Sequence, residues 1–338
     1  MFSLLFLFCV CLSIILAQLF ALYNNNFRIL TKNGRDEKLV KSEKLHIERR
    51  TKIWYLKENR KNDPAFGGIG GCVLKKRVIS ALILLTLALS CVFLSDITRV
   101  LFFGAAGILC AYELSRNLEK LEVYCCAWVM YVFTAAMALL ALFHASPTAY
   151  LACFTLGIYL ALFSGILHKK VSGSGALYTL AGLAYPCFLF GMMMMISVSE
   201  IWLETLVLGC FSSWMCDTFA LLGGMRFGRH KVAPLVSPHK TWEGCICGAL
   251  SSMLVGLVIW LLPLFPDIGL VTALLTSLIS STLGQIGDLA ESLIKRMIGI
   301  KDFSNLIPGH GGMFDRADSL LFSLPAAYIC LHIAGIGM

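Results

Sequence analysis

Charge is what this chain has least of. Of 338 residues only 28 are Lys or Arg and 20 are Asp or Glu. That is 14%, against roughly 25% in an ordinary soluble domain. A hydrophobic share of 58% and a mean hydropathy of +0.79 accompany the scarcity. Together they exclude a water-soluble globule and a disordered chain, both of which need far more polar residues. Short alternating segments of about ten residues, the signature of a membrane barrel, are lacking too. In their place stand ten continuous apolar runs, at 1–23, 78–95, 97–113, 123–143, 147–168, 176–197, 201–223, 244–265, 268–291 and 318–337. Each approaches the length of about 20 residues that a helix needs to cross about 30 Å of hydrocarbon. The expectation is an all-α, polytopic integral membrane protein of about ten transmembrane helices.

Further absences narrow the reading. No basic segment precedes the run 1–23, so it reads as a membrane anchor rather than a secretory leader. The stretch Gly67-Gly68-Ile69-Gly70-Gly71 lacks the following Lys-Ser/Thr of a phosphate-cradling loop and reads as a flexible linker. It closes a basic arm, 24–77, with 15 basic and six acidic residues, which reads as a solvated tether. Fourteen cysteines are present, but most lie inside apolar runs, where thiols behave as small apolar side chains. Cys245-Ile246-Cys247 has neither the spacing nor the histidine of a zinc knuckle. The expected organisation is thus an anchor at 1–23, the arm 24–77, transmembrane helices over 78–200 and a catalytic membrane region over 201–338.

Basic residues are also missing from one side. With ten spans and the N-terminus outside, the inner connections are 24–77, 114–122, 169–175, 224–243 and 292–317. They hold 27 of the 28 Lys and Arg residues, and only Arg99 falls outside. Cytoplasmic loops retain basic residues, so this asymmetry predicts both termini outside. The net charge of +8 then belongs to one face, against anionic headgroups, and implies no nucleic-acid surface.

Ionisable residues inside membrane helices are costly, and here they gather in the last third of the chain. Asp217 precedes the inner end of its run by six residues, roughly 9 Å at 1.5 Å per residue. Asp288, Glu291, Ser292 and Lys295 stand at i, i+3, i+4 and i+7, on one helix face. Asp315 and Asp318 share another, with Arg316 between them, in the first turn of the last run. The chain reaches that turn through Pro308-Gly309-His310-Gly311-Gly312, which can present backbone N–H groups to phosphate. The inner loop adds Arg226, Arg229, Lys231 and Lys240, with Glu243 placed to cap the helix that begins near Gly244. Positives suit a polyphosphate; clustered carboxylates suit Mg²⁺, which takes oxygen ligands and bridges to substrate phosphates. An ion-coupled transporter also carries intramembrane acids, but the halves of this chain show no internal similarity.

Two stretches carry a family resemblance. Ser292-Leu293-Ile294-Lys295-Arg296, Lys301-Asp302 and His310-Gly311-Gly312-Met313-Phe314-Asp315-Arg316-Ala317-Asp318 resemble the C-terminal signature of phosphatidate cytidylyltransferases, also called CDP-diacylglycerol synthases. Arg226-Phe227-Gly228 and Ser237-Pro238-His239-Lys240-Thr241-Trp242-Glu243-Gly244 are similar to the family's second hallmark. Ala317 stands where the family usually has a bulkier apolar residue, and the first 70 residues have no counterpart. The resemblance implies transfer of CMP from CTP to phosphatidic acid at the inner membrane, with the site facing the cytoplasm. It places divalent metal on Asp288 and Asp315, with Asp217 a further candidate. The ion is Mg²⁺, and a second is either divalent or monovalent, such as K⁺. Lys295 and Arg316 are assigned to transition-state charge, and Arg226 and Lys240 to phosphates. Ser292, His310, Gly311, Gly312 and Asp318 complete the substrate contacts, and a homodimer is a possible assembly. A CTP-dependent polyprenol or phytol-type lipid kinase is the nearest alternative enzyme.

Overall fold

Residues 90–167, 173–261, 265–306 and 311–337 are the ones described in the computed structural model, all within the unit Cys72–Met338. The run 1–23, the arm 24–77, most of the run 78–95 and His310 lie outside them. Among the described residues six helices are long and apolar enough to cross a bilayer, as a helical membrane protein requires. The count of about ten is not reached there. Two of the expected runs fall largely outside, and two others form helices of only 16 and 14 residues.

Ser95 opens α1 (Asp96–Leu118) with a reciprocal capping box: its hydroxyl accepts the Thr98 N–H, and the Thr98 hydroxyl accepts the Ser95 N–H. Arg99, the one basic residue expected outside, is buried in the first turn. It pairs with Asp96 at 2.5 Å, donates to the carbonyls of Val92 and Ser197, and lies 3.9 Å over the Trp202 ring. Its charge is therefore matched inside the protein. Next come α2 (Ala127–Leu142) and α3 (Pro147–Leu167). Then α4 (Gly173–Gly182) continues through a π-helical turn, Leu183–Cys187, into α5 (Phe188–Ser197). Pro186 lacks an N–H and crowds the preceding turn, so this rod is broken, with Tyr185 extended at φ −148 and ψ 107. Helix α1 packs on α2 and α5, and α2 on α3 and α5.

The second group is α6 (Trp202–Phe227), α7 (Trp242–Leu261), α8 (Leu270–Ile298) and α10 (Leu320–Ile333). On α7, Gly244, Gly248, Ser252 and Gly256 recur every fourth residue and form a ridge with almost no side chain. A Cβ at Gly248 would stand 2.6 Å from the Cys216 carbonyl oxygen, and one at Gly244 2.6 Å from that of Ala220. The backbones of α6 and α7 thus touch, the close approach that small residues permit in membranes. Farther along, the Ser252 hydroxyl bonds the Ser281 hydroxyl at 2.8 Å and the Ser277 carbonyl at 3.1 Å on α8. Cys245 and Cys247, which carry no metal motif, flank this ridge. Helix α10 also touches α5, and the short α9 (Phe314–Ala317) touches α1, joining the two groups.

Not every element is helical. The loop between α6 and α7 folds as an antiparallel ribbon, β1 (Lys231–Ala233) and β2 (Ser237–Thr241), with Lys231 opposite Thr241. The ribbon is a small insert in an otherwise all-α membrane protein. Arg296 of α8 donates to the Val236 carbonyl in the ribbon's turn at 3.2 Å, so the ribbon is tied to α8.

Candidate active site

Helix periodicity builds the centre of the site. Asp288 and Glu291 lie one turn apart on α8, and Asp318 enters between α9 and α10. One carboxylate oxygen from each lies within 4.8 Å of the others. Glu291 is wholly buried, and its Oε1 has no hydrogen-bond partner among the described residues. Two lysines reach this cluster from different elements. Lys240, on β2, meets Asp288 Oδ2 at 2.5 Å. Lys295 Nζ stands 2.5 Å from Glu291 Oε2, one turn away, and donates to Asp315 Oδ1 at 3.0 Å. Asp217 of α6, open to the surface, interacts electrostatically with both Asp288 and Lys240. Five carboxylates therefore face two lysines. That surplus of negative charge in a half-buried setting calls for a cation.

The donor set passes a chemical test for the divalent ion that the resemblance implies. It is made only of carboxylate oxygens, the hard ligands Mg²⁺ prefers, with no thiol or imidazole among the three. The unpartnered Glu291 Oε1 supplies a further reason, since it leaves a buried carboxylate oxygen free to face an ion.

A second pair of acids shapes the glycine turn beside the cluster. Asp315 Oδ2 accepts the N–H of Gly312 at 2.8 Å and of Phe303 at 2.9 Å. Glu113, buried near the end of α1, accepts the N–H groups of Met313 and Phe314 at 3.0 and 2.9 Å and the Ser304 hydroxyl at 2.6 Å. It thereby caps α9 across the structure, satisfying donors that a four-residue helix cannot satisfy itself. Gly311 has φ +89, and a Cβ on Gly312 would lie 2.6 Å from both Glu113 oxygens. Both positions require glycine, the first for its backbone angle and the second for space. Asn117, one turn beyond Glu113, donates to the Phe303 carbonyl at 2.7 Å and completes the latch.

The ribbon is fixed at its base in the same manner. Glu243 accepts the N–H groups of Arg229 and His230 at 3.1 and 3.2 Å and meets His230 Nδ1 at 2.6 Å. Thr241 Oγ1 accepts the Gly244 N–H, so the cap of α7 comes from Thr241, and Glu243 holds the loop instead.

Most of the expected residues converge. Asp288, Lys295, Asp315, Asp318 and Lys240 form one network, with Gly311 and Gly312 against it and Ser292 one turn along α8 from Asp288. Asp318 joins Asp288 in the possible ion site, whereas Asp315 reaches it through Lys295. Arg226, in the last turn of α6, and Arg316, in α9, are exposed, with no direct contact recorded to the cluster. Glu291 was visible as part of the α8 face but carried no assigned role. Glu113 and Tyr185 went unassigned. An acid inside the run 97–113 was the available signal for Glu113, while nothing local marked Tyr185.

Comparison with known proteins agrees with this geometry. The profile of the cytidylyltransferase family matches residues 75–334. The chain belongs to this family. A phosphatidate cytidylyltransferase of Staphylococcus haemolyticus is 30% identical over 265 residues, covering 76% of this chain and 99% of that protein. One from Pseudomonas aeruginosa is 33% identical over 274 residues, covering 78% and 99%. One from Brucella abortus is 32% identical over 260 residues, covering 76% and 92%. This cytidylyltransferase thus spans nearly the whole of these relatives, and its first 74 residues precede the matched range.

Proposed function

We propose that the chain is a phosphatidate cytidylyltransferase, which transfers CMP from CTP to phosphatidic acid and yields CDP-diacylglycerol and pyrophosphate. The observation that carries this reading is the acidic cluster of Asp288, Glu291 and Asp318, clamped by Lys240 and Lys295 on membrane helices that bear both family motifs. An oxygen of the lipid phosphate attacks the α-phosphorus of CTP. The new O–P bond forms as the bond to the β-phosphate oxygen breaks, and pyrophosphate leaves with its electrons. Two anions must approach, so the protein's task is positioning and charge compensation.

Asp288, Glu291 and Asp318 would hold Mg²⁺, with Asp315 Oδ1 and Asp217 the next oxygens within the same network. Bound there, the ion supplies Lewis acidity and neutralises phosphate charge. Asp217, beside Asp288, would also serve a second cation, divalent or a monovalent one such as K⁺. Lys240, with Arg226 at the adjoining end of α6, is placed to bind the phosphates arriving from the cytosol. Lys295 and Arg316 offset charge that develops on transfer, and Asp315 orients Lys295. Ser292, His310, Gly311 and Gly312 bind the substrate around the turn. The basic asymmetry supports an inner-membrane protein with both termini outside and the site facing the cytoplasm. The anchor 1–23, the arm 24–77, helices over 78–200, a catalytic region over 201–338 and pairing of two copies belong to the same proposal.

Purified protein in detergent, given labelled CTP, phosphatidic acid and Mg²⁺, is expected to release pyrophosphate and CDP-diacylglycerol. Phosphorylated lipid with CDP would indicate a lipid kinase instead. Intact CTP would contradict both.

A further inference from the structure

The broken rod α4–α5 brings one polar group to the cluster that the account so far leaves idle. Tyr185 sits at the break, and its ring is fixed by aromatic contacts, 5.2 Å from Phe314 and 5.6 Å from Phe322 between centroids. Those two rings belong to α9 and α10, the first of which carries Asp315, with Asp318 in the link between the two. The Tyr185 hydroxyl is buried and has no hydrogen-bond partner among the described residues. Its electrostatic neighbours are Glu291, Asp318 and Asp288, the three acids of the cluster, together with the Cys110 thiol.

A buried O–H without an acceptor is unfavourable, because the donor has given up water for nothing. Ring packing alone would be served equally by phenylalanine, so packing does not account for the hydroxyl. Tyr185 lies on the α4–α5 rod, and all three acids of the cluster act electrostatically on its hydroxyl. We propose that Tyr185 is a substrate-binding residue whose hydroxyl donates a hydrogen bond to a phosphoryl oxygen brought to the acidic cluster. That oxygen belongs either to CTP or to the lipid phosphate. A neutral donor suits this position. Phenol can approach phosphate among the acids without adding a fixed charge, whereas a third lysine would pair with a carboxylate and compete with the cation.

The inference rests on the CMP-transfer reading, and the test separates the two. Wild type, Tyr185→Phe and Tyr185→Leu are purified in the same detergent. Tryptophan fluorescence gives the folded fraction, and CDP-diacylglycerol formation is measured per folded molecule while each substrate is varied in turn. Tyr185→Phe is expected to lose about tenfold or more in kcat/KM, the scale of one hydrogen bond to a charged group, with a melting midpoint at or above that of wild type. A raised KM for CTP identifies the nucleotide phosphate as the acceptor, and a raised KM for phosphatidic acid identifies the lipid phosphate. A fall in kcat alone identifies an oxygen bonded only in the transition state. Tyr185→Leu is expected to melt lower yet lose no more kcat/KM per folded molecule than Tyr185→Phe. A phenylalanine variant as active per folded molecule as wild type overturns the assignment, whether or not it melts lower. A wild type that forms no CDP-lipid overturns the reaction itself.

Discussion

At the scale of single residues, what distinguishes this site is how few side chains do only one thing. Lys295 compensates Glu291 and is oriented by Asp315, which also accepts the Gly312 N–H. Removing charge from the cluster while keeping shape isolates the chemistry. Asp288→Asn and Glu291→Gln are each expected to lose about a hundredfold or more in CDP-diacylglycerol formation, the scale typical of removing one preorganised electrostatic group. Each replacement also takes a partner from Lys240 or Lys295, so turnover is read per folded molecule. Near-normal turnover in either would remove that acid from the ion site. Gly312→Ala acts on packing instead. The added methyl meets both Glu113 oxygens at 2.6 Å, so overpacking is expected to cost about 1–3 kcal/mol. A melting curve of that variant, compared with Gly312→Ala combined with Glu113→Ala, checks the cause: the second change should restore space without restoring the cap.

At the scale of elements, hydropathy located the helices and misjudged their ends. The run 268–291 ends at Glu291, yet α8 continues through Lys295 and Arg296 to Ile298. Basic residues suit the last turn of a helix, and Gly299 at φ +80 closes it, with the Gly299 and Ile300 N–H groups bonded to the Lys295 carbonyl. The run 318–337 is helical as α10 only over Leu320–Ile333, and the four residues just before it, Phe314–Ala317, form the separate α9 held by Asp315 and Glu113. The face shared by Asp288, Glu291 and Lys295 was legible because 3.6-residue periodicity alone determines it. Glu113, Tyr185 and the ribbon were not, since their roles arise from partners more than a hundred residues away or, for the ribbon, from a docking bond to α8. The ribbon gives its own test. Glu243→Ala frees the N–H groups of Arg229 and His230 and loosens the strand that carries Lys240. A KM for CTP raised severalfold with kcat little changed is expected from substrate titrations. Unchanged KM would show that the base of the ribbon does not position Lys240.

At the scale of the whole molecule, the account requires that the ribbon and the acidic cluster open to the cytoplasm. Leu235, at the tip of the ribbon, is 84% exposed, and Ser146 is exposed in the connection between α2 and α3. In a background cleared of native thiols, Ser146→Cys should react with a membrane-impermeant maleimide added outside intact cells, and Leu235→Cys should react only after the membrane is opened. The reverse pattern would invert the topology. The central claim is that Asp288, Glu291 and Asp318 form one cation site, and it can be read without turnover. Mn²⁺ titrated into the purified protein and followed by electron paramagnetic resonance should lose free-ion signal to a bound site. Asp318→Asn, combined with Glu291→Gln, should abolish that binding while the protein stays folded. Equal Mn²⁺ binding by wild type and the double variant would contradict the account.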